Sequence, residues 1–207
     1  MMSNRNPVFY LRFDKDSGKL TYKDGETKRS FDCVEGWLRE IRREKWQPAG
    51  AEKPRHSLVL VLVDRSVNEE YRLSTSYYGG PARSILNQIA SIENDLYNDI
   101  LLSSGKKGEY TSVYMQKDGK RLEWKYKPEE IPKSEEIKIK ETGETFISNV
   151  KKDAFFDKLF EELSGKINFQ AKPSIPNPLY QRDPDYREEP VNDEPGNDEP
   201  AGDDLPF

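Results

Sequence analysis

The chain has 207 residues, a length that suits one domain with an appended segment or two small domains. Its 33 basic and 38 acidic residues give a net charge of −5, but the two signs are unevenly distributed. Residues 171–207 hold three basic and ten acidic residues, whereas residues 1–127 hold 23 basic and 18 acidic ones. The chain is therefore a slightly basic body followed by an acidic tail.

The composition excludes several classes of protein. No apolar run approaches the roughly 18–20 residues of a membrane span, and the first residues lack the apolar run of a secretory signal peptide. A single cysteine, Cys33, excludes an internal disulfide framework and any multi-cysteine zinc site. A single histidine, His56, removes most metal sites and acid–base triads. We expect a protein of a reducing compartment that has no catalytic residues, no metal and no cofactor.

The first third of the chain predicts two strands and a helix. Residues 8–13 and 19–23 alternate as strands do, and turn sequences separate them. A helix is predicted over 33–46, with Asp32 as its N-cap and Glu35 completing a capping box. Its apolar stripe would consist of Val34, Trp37, Leu38 and Ile41.

The middle third predicts a sheet with one helix inserted. Residues 57–63 (SLVLVLV) show no polar alternation, which indicates a strand buried on both faces, and residues 70–77 would pair with it. The Gly79-Gly80-Pro81 sequence would start a helix that has an apolar side. Strands are predicted at 99–103, 110–117 and 121–127, and Asp118-Gly119 would form the turn between the last two.

The remainder divides at residue 171. Residues 136–140 and 145–147 predict a small hairpin, and residues 152–164 predict an amphipathic helix that ends at Gly165 and packs on the body. Eight of the 14 prolines fall within 173–206, so residues 171–207 are expected to be disordered.

The fold class that follows is mainly β with two or three helices. We expect residues 1–127 to form an elaborated OB-fold-like Greek-key barrel, with 128–170 packed on it as a hairpin and a helix. The same order of elements also fits an open α+β sheet, because sequence spacing does not determine whether a barrel closes.

Aromatic and basic residues recur together in the predicted strands, which favours binding of single-stranded nucleic acid. Such binding requires flat aromatic faces for the bases and cations for the phosphates. In the 110–117 strand, alternation places Tyr110 and Tyr114 on the face opposite Val113 and Met115. The candidate residues are Tyr77, Tyr78, Tyr110, Tyr114, Trp124 and Tyr126, with the cations Arg72, Arg83, Lys106, Lys107, Lys117, Lys120, Arg121 and Lys125.

The last residues are Asp203-Asp204-Leu205-Pro206-Phe207. An acidic tail with this ending resembles the single-stranded-DNA-binding proteins of bacteria and their phages. The resemblance implies an OB-fold body and a bacterial cytoplasm; it leaves a bacterial or a phage source open, and the unusual body favours the cytoplasm of a phage-infected host. It also implies that Asp203, Asp204, Leu205, Pro206 and Phe207 dock replication or recombination enzymes such as a polymerase, helicase or primase.

The sequence therefore predicts a non-enzymatic protein that coats single-stranded DNA and recruits partner enzymes. The resemblance leaves the number of subunits open and allows a homo-oligomer. The first alternative is an adaptor that binds only proteins, since the net charge of +2 over residues 1–170 is low for a DNA-binding surface. The second is an annealing protein of recombination, which would use the same DNA site.

Overall fold

The computed structural model describes residues 7–47, 50, 52–92, 99–139 and 144–170. These residues form a mainly β fold with two helices. The strands are β1 Val8–Phe13, β2 Leu20–Asp24, β3 Thr27–Phe31, β4 Cys33–Trp46, β5 Arg55–Asp64, β6 Glu69–Ser76, β7 Asp99–Lys107, β8 Tyr110–Lys117, β9 Lys120–Arg121, β10 Glu135–Lys138 and β11 Thr145–Ser148. The helices are α1 Gly80–Ala90 and α2 Val150–Gln170.

Strands β1 to β9 form one mixed sheet in the order β3-β2-β1-β6-β5-β4-β7-β8-β9. Every pairing is antiparallel except that of β1 with β6. The predicted closed barrel is wrong for the described residues, because β3 and β9 are edge strands that do not pair with each other. The predicted class, mainly β with two or three helices, is confirmed.

The predicted helix at 33–46 is wrong, because these residues form the longest strand, β4. A β-bulge between Leu38 and Glu40 adds one residue to the strand and shifts the side-chain alternation. Val34 and Leu38 before the bulge and Ile41 after it therefore all face the core. This spacing resembles a helical stripe, although its cause is an irregular strand.

Both helices pack on one face of the sheet. Leu58, Leu60 and Leu62 of β5 belong to the core cluster beneath the helices, together with Ile85, Leu86 and Ile89 of α1. From α2 come Phe156, Leu159, Phe160, Leu163 and Ile167. Burying each such side chain contributes about 1.5–3 kcal/mol, so this layer is the main source of stability. The apolar stripe predicted for the last helix thus packs on the sheet, and α2 continues through Gly165 rather than ending there.

Two further predictions need correction. Residues 27–31, for which the sequence predicts no strand, form β3, and the strand predicted at 121–127 ends after Arg121. Beyond it the chain turns to α1, where the buried Asn87 side chain bonds the backbone N–H and C=O of Tyr126. The predicted hairpin at 136–147 forms as a separate sheet, β10 with β11, whose Ile137, Phe146 and Ile147 are exposed.

Candidate nucleic-acid interface

Alternation along the strands gives the large sheet two chemically different faces. The residues that alternate with Leu58, Leu60 and Leu62 point away from the helices. We call this second face the open face. On it, Arg72 and Ser74 of β6 lie beside Val61 and Val59 of β5, and Tyr10 of β1 lies beside Arg72. On β4 the same face carries Glu40, Arg42, Glu44 and Trp46. No described helix packs on it.

A cleft of about 630 Å³ lies on the open face over β1, β2 and the turn between them. Tyr10 and Arg12 come from β1, Lys23 from β2, and Lys28 from β3. Lys15 lies in the turn. The cleft therefore combines one exposed aromatic ring with four cations.

A second cleft, of about 530 Å³, lies over β4, β5 and β6. It is lined by Lys45, Trp46, Ser57 and Ser74, and Arg12 lines both clefts. We call the two clefts together the groove. The side chains that line it include five basic residues (Arg12, Lys15, Lys23, Lys28, Lys45) and three acidic ones (Asp14, Asp16, Glu44).

The groove exposes two large aromatic side chains, each of which lies beside an arginine. Tyr10 is 60% exposed, and the Arg72 guanidinium lies 5.5 Å from its ring centre. Trp46 is 48% exposed, and its Nε1 donates a hydrogen bond to Ser57 Oγ at 3.2 Å. The Arg55 guanidinium lies 5.9 Å from the Trp46 ring. Each site offers a flat apolar surface next to a positive charge.

A buried carboxylate positions Arg72. Glu70 accepts hydrogen bonds from Arg72 Nε at 2.5 Å and from Arg39 Nη1 at 2.9 Å. Desolvation of Glu70 acts to raise its pKa, but the bonds from Arg72 and Arg39 outweigh it and lower the pKa. The carboxylate therefore stays ionised at neutral pH and holds the Arg72 side chain beside Tyr10.

Asp14 both shapes the groove and partly neutralises it. Its Oδ1 accepts the backbone N–H groups of Asp16 and Ser17, which fixes the turn between β1 and β2. Its Oδ2 forms an ion pair with Lys28. The hydrogen bond from Lys28 is the largest influence on the Asp14 carboxyl and lowers its pKa. One groove cation is thus paired within the protein.

The predicted aromatic face of the 110–117 strand is present. Val113 and Met115 are buried, Tyr110 is 78% exposed, and Tyr114 lies under the Arg121 guanidinium at 4.5 Å. Lys107 pairs in register with Tyr110. Lys106 Nζ donates to the backbone oxygen of Lys15 at 2.8 Å, which places this end of β7 next to the groove.

The predicted cations Lys117 and Lys120 lie at the opposite end of β8, around the turn between β8 and β9. Asp118 and Gly119 both have positive φ angles, 52° and 71°, as the predicted hairpin turn requires. Lys117 lies near Asp118, at 3.9 Å between Nζ and Oδ2, and pairs in register with Lys120.

The remaining predicted residues lie on the helix side of the sheet, away from the open face. Tyr77 is 1% exposed and packs edge-on against Phe160, so neither face of its ring is accessible to a base. Tyr78 contacts Arg43, whose Nη1 also binds Asp157 of α2 at 3.1 Å.

Four more predicted residues belong to the same region. Arg83 pairs with Asp153 of α2 at 2.6 Å. Tyr126 packs edge-on against Phe155, with Lys125 Nζ 5.5 Å from its ring centre. Trp124, which is 46% exposed, lines a cavity between the two helices. Tyr126, Lys125 and Trp124 lie on the helix side because the chain leaves the sheet after Arg121.

The candidate residues chosen from the sequence leave out those at the centre of the groove. Tyr10 and Arg12 form an aromatic–basic pair in a predicted strand, so the sequence contains the pattern that identifies them. The helix predicted at 33–46 hides Lys45 and Trp46, which in fact lie at the end of a strand. The docking residues Asp203, Asp204, Leu205, Pro206 and Phe207 lie outside the described residues.

Two other properties of the described part of the chain bear on function. Its acidic, cysteine and histidine side chains form no group of three or more that could hold a metal ion. Neither of its helices combines the length and apolarity needed to cross a membrane.

In comparisons with protein-family models, curated proteins and solved structures, the chain matches none of them.

Proposed function

We propose that the protein binds single-stranded DNA along the open face of its large sheet. The observation that carries this proposal is the groove, where exposed Tyr10 and Trp46 each lie beside an arginine and Arg12 lines both clefts. Proteins that bind single strands without sequence preference combine a cationic groove with aromatic rings on which bases stack. The proposal includes no catalytic step.

Each part of the groove has a distinct role in this proposal. Bases stack on Tyr10 and Trp46, and each stacked base contributes about 1–3 kcal/mol. Arg12, Lys15 and Lys23 contact the phosphates. Tyr110 and Lys107, at the end of β7 that Lys106 links to the groove, extend the path of the strand.

The order of the central strands supports an OB-type body. Strands β4 to β8 lie in the order β6-β5-β4-β7-β8, with α1 inserted between β6 and β7. This is the arrangement in which a five-stranded OB-fold places its strands and helix. The pairing that would close the barrel, β6 with β8, is replaced by the parallel pairing of β6 with β1. Because β1 takes that place, it brings Tyr10 and Arg12 beside the face of β5 and β6.

The experiment is a titration of the full-length protein at two salt concentrations with a fluorescently labelled oligo-dT that is short enough to bind a single copy, using two tryptophan variants. Trp46→Ala should weaken binding by about 5- to 150-fold, the loss of one stacked base. Trp124→Ala is the matched control, because it removes an equally exposed tryptophan from the helix side. Affinity should fall as salt rises, since phosphate contacts release counterions. Absence of salt-dependent binding, or equal losses in both variants, would contradict the proposal.

In the same proposal, Asp203, Asp204, Leu205, Pro206 and Phe207 form a docking segment for protein partners, including replication or recombination enzymes. A short acidic segment with apolar anchors that is covalently linked to a DNA-binding body holds its partners at a raised effective concentration. An affinity capture with the 194–207 peptide should retain such enzymes, and a peptide carrying Leu205→Ser and Phe207→Ser should not.

A further inference from the structure

A cavity of about 270 Å³ lies on the helix side of the molecule, where the start of α1, the segment after β9 and the first half of α2 meet. Its apolar walls include Trp124, Ile131 and Phe156. Ile131 and Phe156 are buried members of the core cluster, so the floor of the cavity is rigid, whereas Trp124 lies half-exposed at the surface. Pockets that hold drug-sized ligands usually exceed about 300 Å³, so this one suits one or two apolar side chains.

The charged side chains that line this pocket are all positive. Arg83, Lys133 and Lys152 line it, and no acidic residue does. Arg83 is partly compensated by Asp153, but its Nε is buried without a hydrogen-bond partner among the described residues. Neither Lys133 nor Lys152 forms an ion pair within the described part of the chain. The pocket thus presents two uncompensated ammonium groups and an unused buried donor around an apolar floor.

This chemistry fits an acidic peptide that presents an apolar side chain. The apolar group fills the cavity, and the neighbouring carboxylates contact the cations at its rim. The chain contains such a segment at Asp203-Asp204-Leu205-Pro206-Phe207. From residue 188 onward it has eight acidic residues and no basic one, so its charge is opposite to that of the pocket.

We propose that the pocket binds the 203–207 segment of a second copy of this chain. Such a contact is heterologous, because pocket and segment are different surfaces, and it can therefore link copies into an open row. The functional role of such a row rests on the proposed function. Copies that are bound side by side on one DNA strand hold the pocket of one copy close to the segment of the next, which makes coating of the strand cooperative.

The first test measures the pocket without DNA, so its outcome is independent of the proposed function. The receptor is the full-length chain with Leu205→Ser and Phe207→Ser, and the ligand is a fluorescently labelled peptide of residues 194–207. Binding should weaken by about tenfold or more when Lys133→Glu and Lys152→Glu are added, since two attractive contacts become repulsive. The matched control adds Lys151→Glu and Lys158→Glu, which change the net charge equally but do not line the pocket. No peptide binding, or equal weakening in both receptors, would overturn the proposal.

The second test asks whether the segment acts between copies. The full-length chain should associate with rising concentration in sedimentation velocity, and the variant pairs Lys133→Glu/Lys152→Glu and Leu205→Ser/Phe207→Ser should each remain monomeric. An equimolar mixture of the two variants should form a one-to-one complex, because one supplies an intact pocket and the other an intact segment. A mixture that remains monomeric would overturn the proposal.

Discussion

Replacing Asp14 by asparagine tests the assignment of the groove, because this change should strengthen DNA binding rather than weaken it. The asparagine side chain keeps the Oδ1 acceptor that fixes the turn through Asp16 and Ser17, and it lacks the charge that pairs with Lys28. The lowered pKa of Asp14 means that the wild-type carboxylate is ionised throughout the neutral range. In the variant, Lys28, which lines the groove, becomes free to contact a phosphate.

The magnitude follows from the one phosphate contact that Lys28 adds. One additional contact on a single strand changes the slope of log K against log salt by about −0.7. If counterion release dominates, the affinity for oligo-dT should rise about fivefold at 0.1 M salt, about eightfold at 0.05 M and about threefold at 0.2 M. Fluorescence anisotropy at these three salt concentrations measures both the rise in affinity and the change in slope.

Two controls separate the release of Lys28 from a general change in charge. Asp16→Asn removes one negative charge from the same cleft, and Asp16 pairs with no lysine in the described structure, so its effect should be smaller. Adding Lys28→Gln to Asp14→Asn should abolish the gain in affinity, as a double-mutant cycle would report. Equal gains from the two aspartate variants, or a gain that persists without Lys28, would refute the placement of Lys28 on the DNA path.

Three further predictions concern stability. Glu70→Gln should destabilise the protein at pH 7, because it removes a carboxylate that two arginines stabilise. Since folding lowers the pKa of Glu70, the difference in unfolding free energy from wild type should shrink as the pH falls below 4.5, the ordinary pKa of a glutamate; urea unfolding at several pH values measures this difference. Phe160→Ala should cost about 3–5 kcal/mol by creating a cavity between α2 and the sheet, measured in the same way. Gly18→Ala should lower the melting temperature, because Gly18 has a φ of +70° and the Cβ of an alanine there would lie 2.7 Å from the Gly105 carbonyl carbon. An unchanged melting temperature would refute the close approach of the β1–β2 turn to β7.

Most strands can be predicted because their side chains follow simple periods. Residues 58–62 of the apolar run are buried on both faces in β5, and the two glycine-containing turn sequences at 24–25 and 118–119 contain glycines with positive φ angles. The helix predicted at 33–46 is wrong because a bulge produces helical spacing in a strand. Local sequence does not reveal a bulge, because the bulge arises from the register of β4 against β5, where Leu38 pairs with Leu62 and Glu40 with Val61, more than 20 residues further along the chain.

The chemistry of the candidate site can be predicted from the sequence, but its position only in part. A slightly basic, aromatic-rich β body and an acidic tail are readable from the residues alone, because composition and alternation are local properties. Which aromatics share a surface depends on the packing of distant segments. The parallel pairing of β1 with β6 brings Tyr10 and Arg12 to the open face, and the hydrogen bonds of Asn87 draw Trp124 and Tyr126 to the helix side. Both outcomes depend on hydrogen bonds between segments that are about 40 to 60 residues apart in the chain.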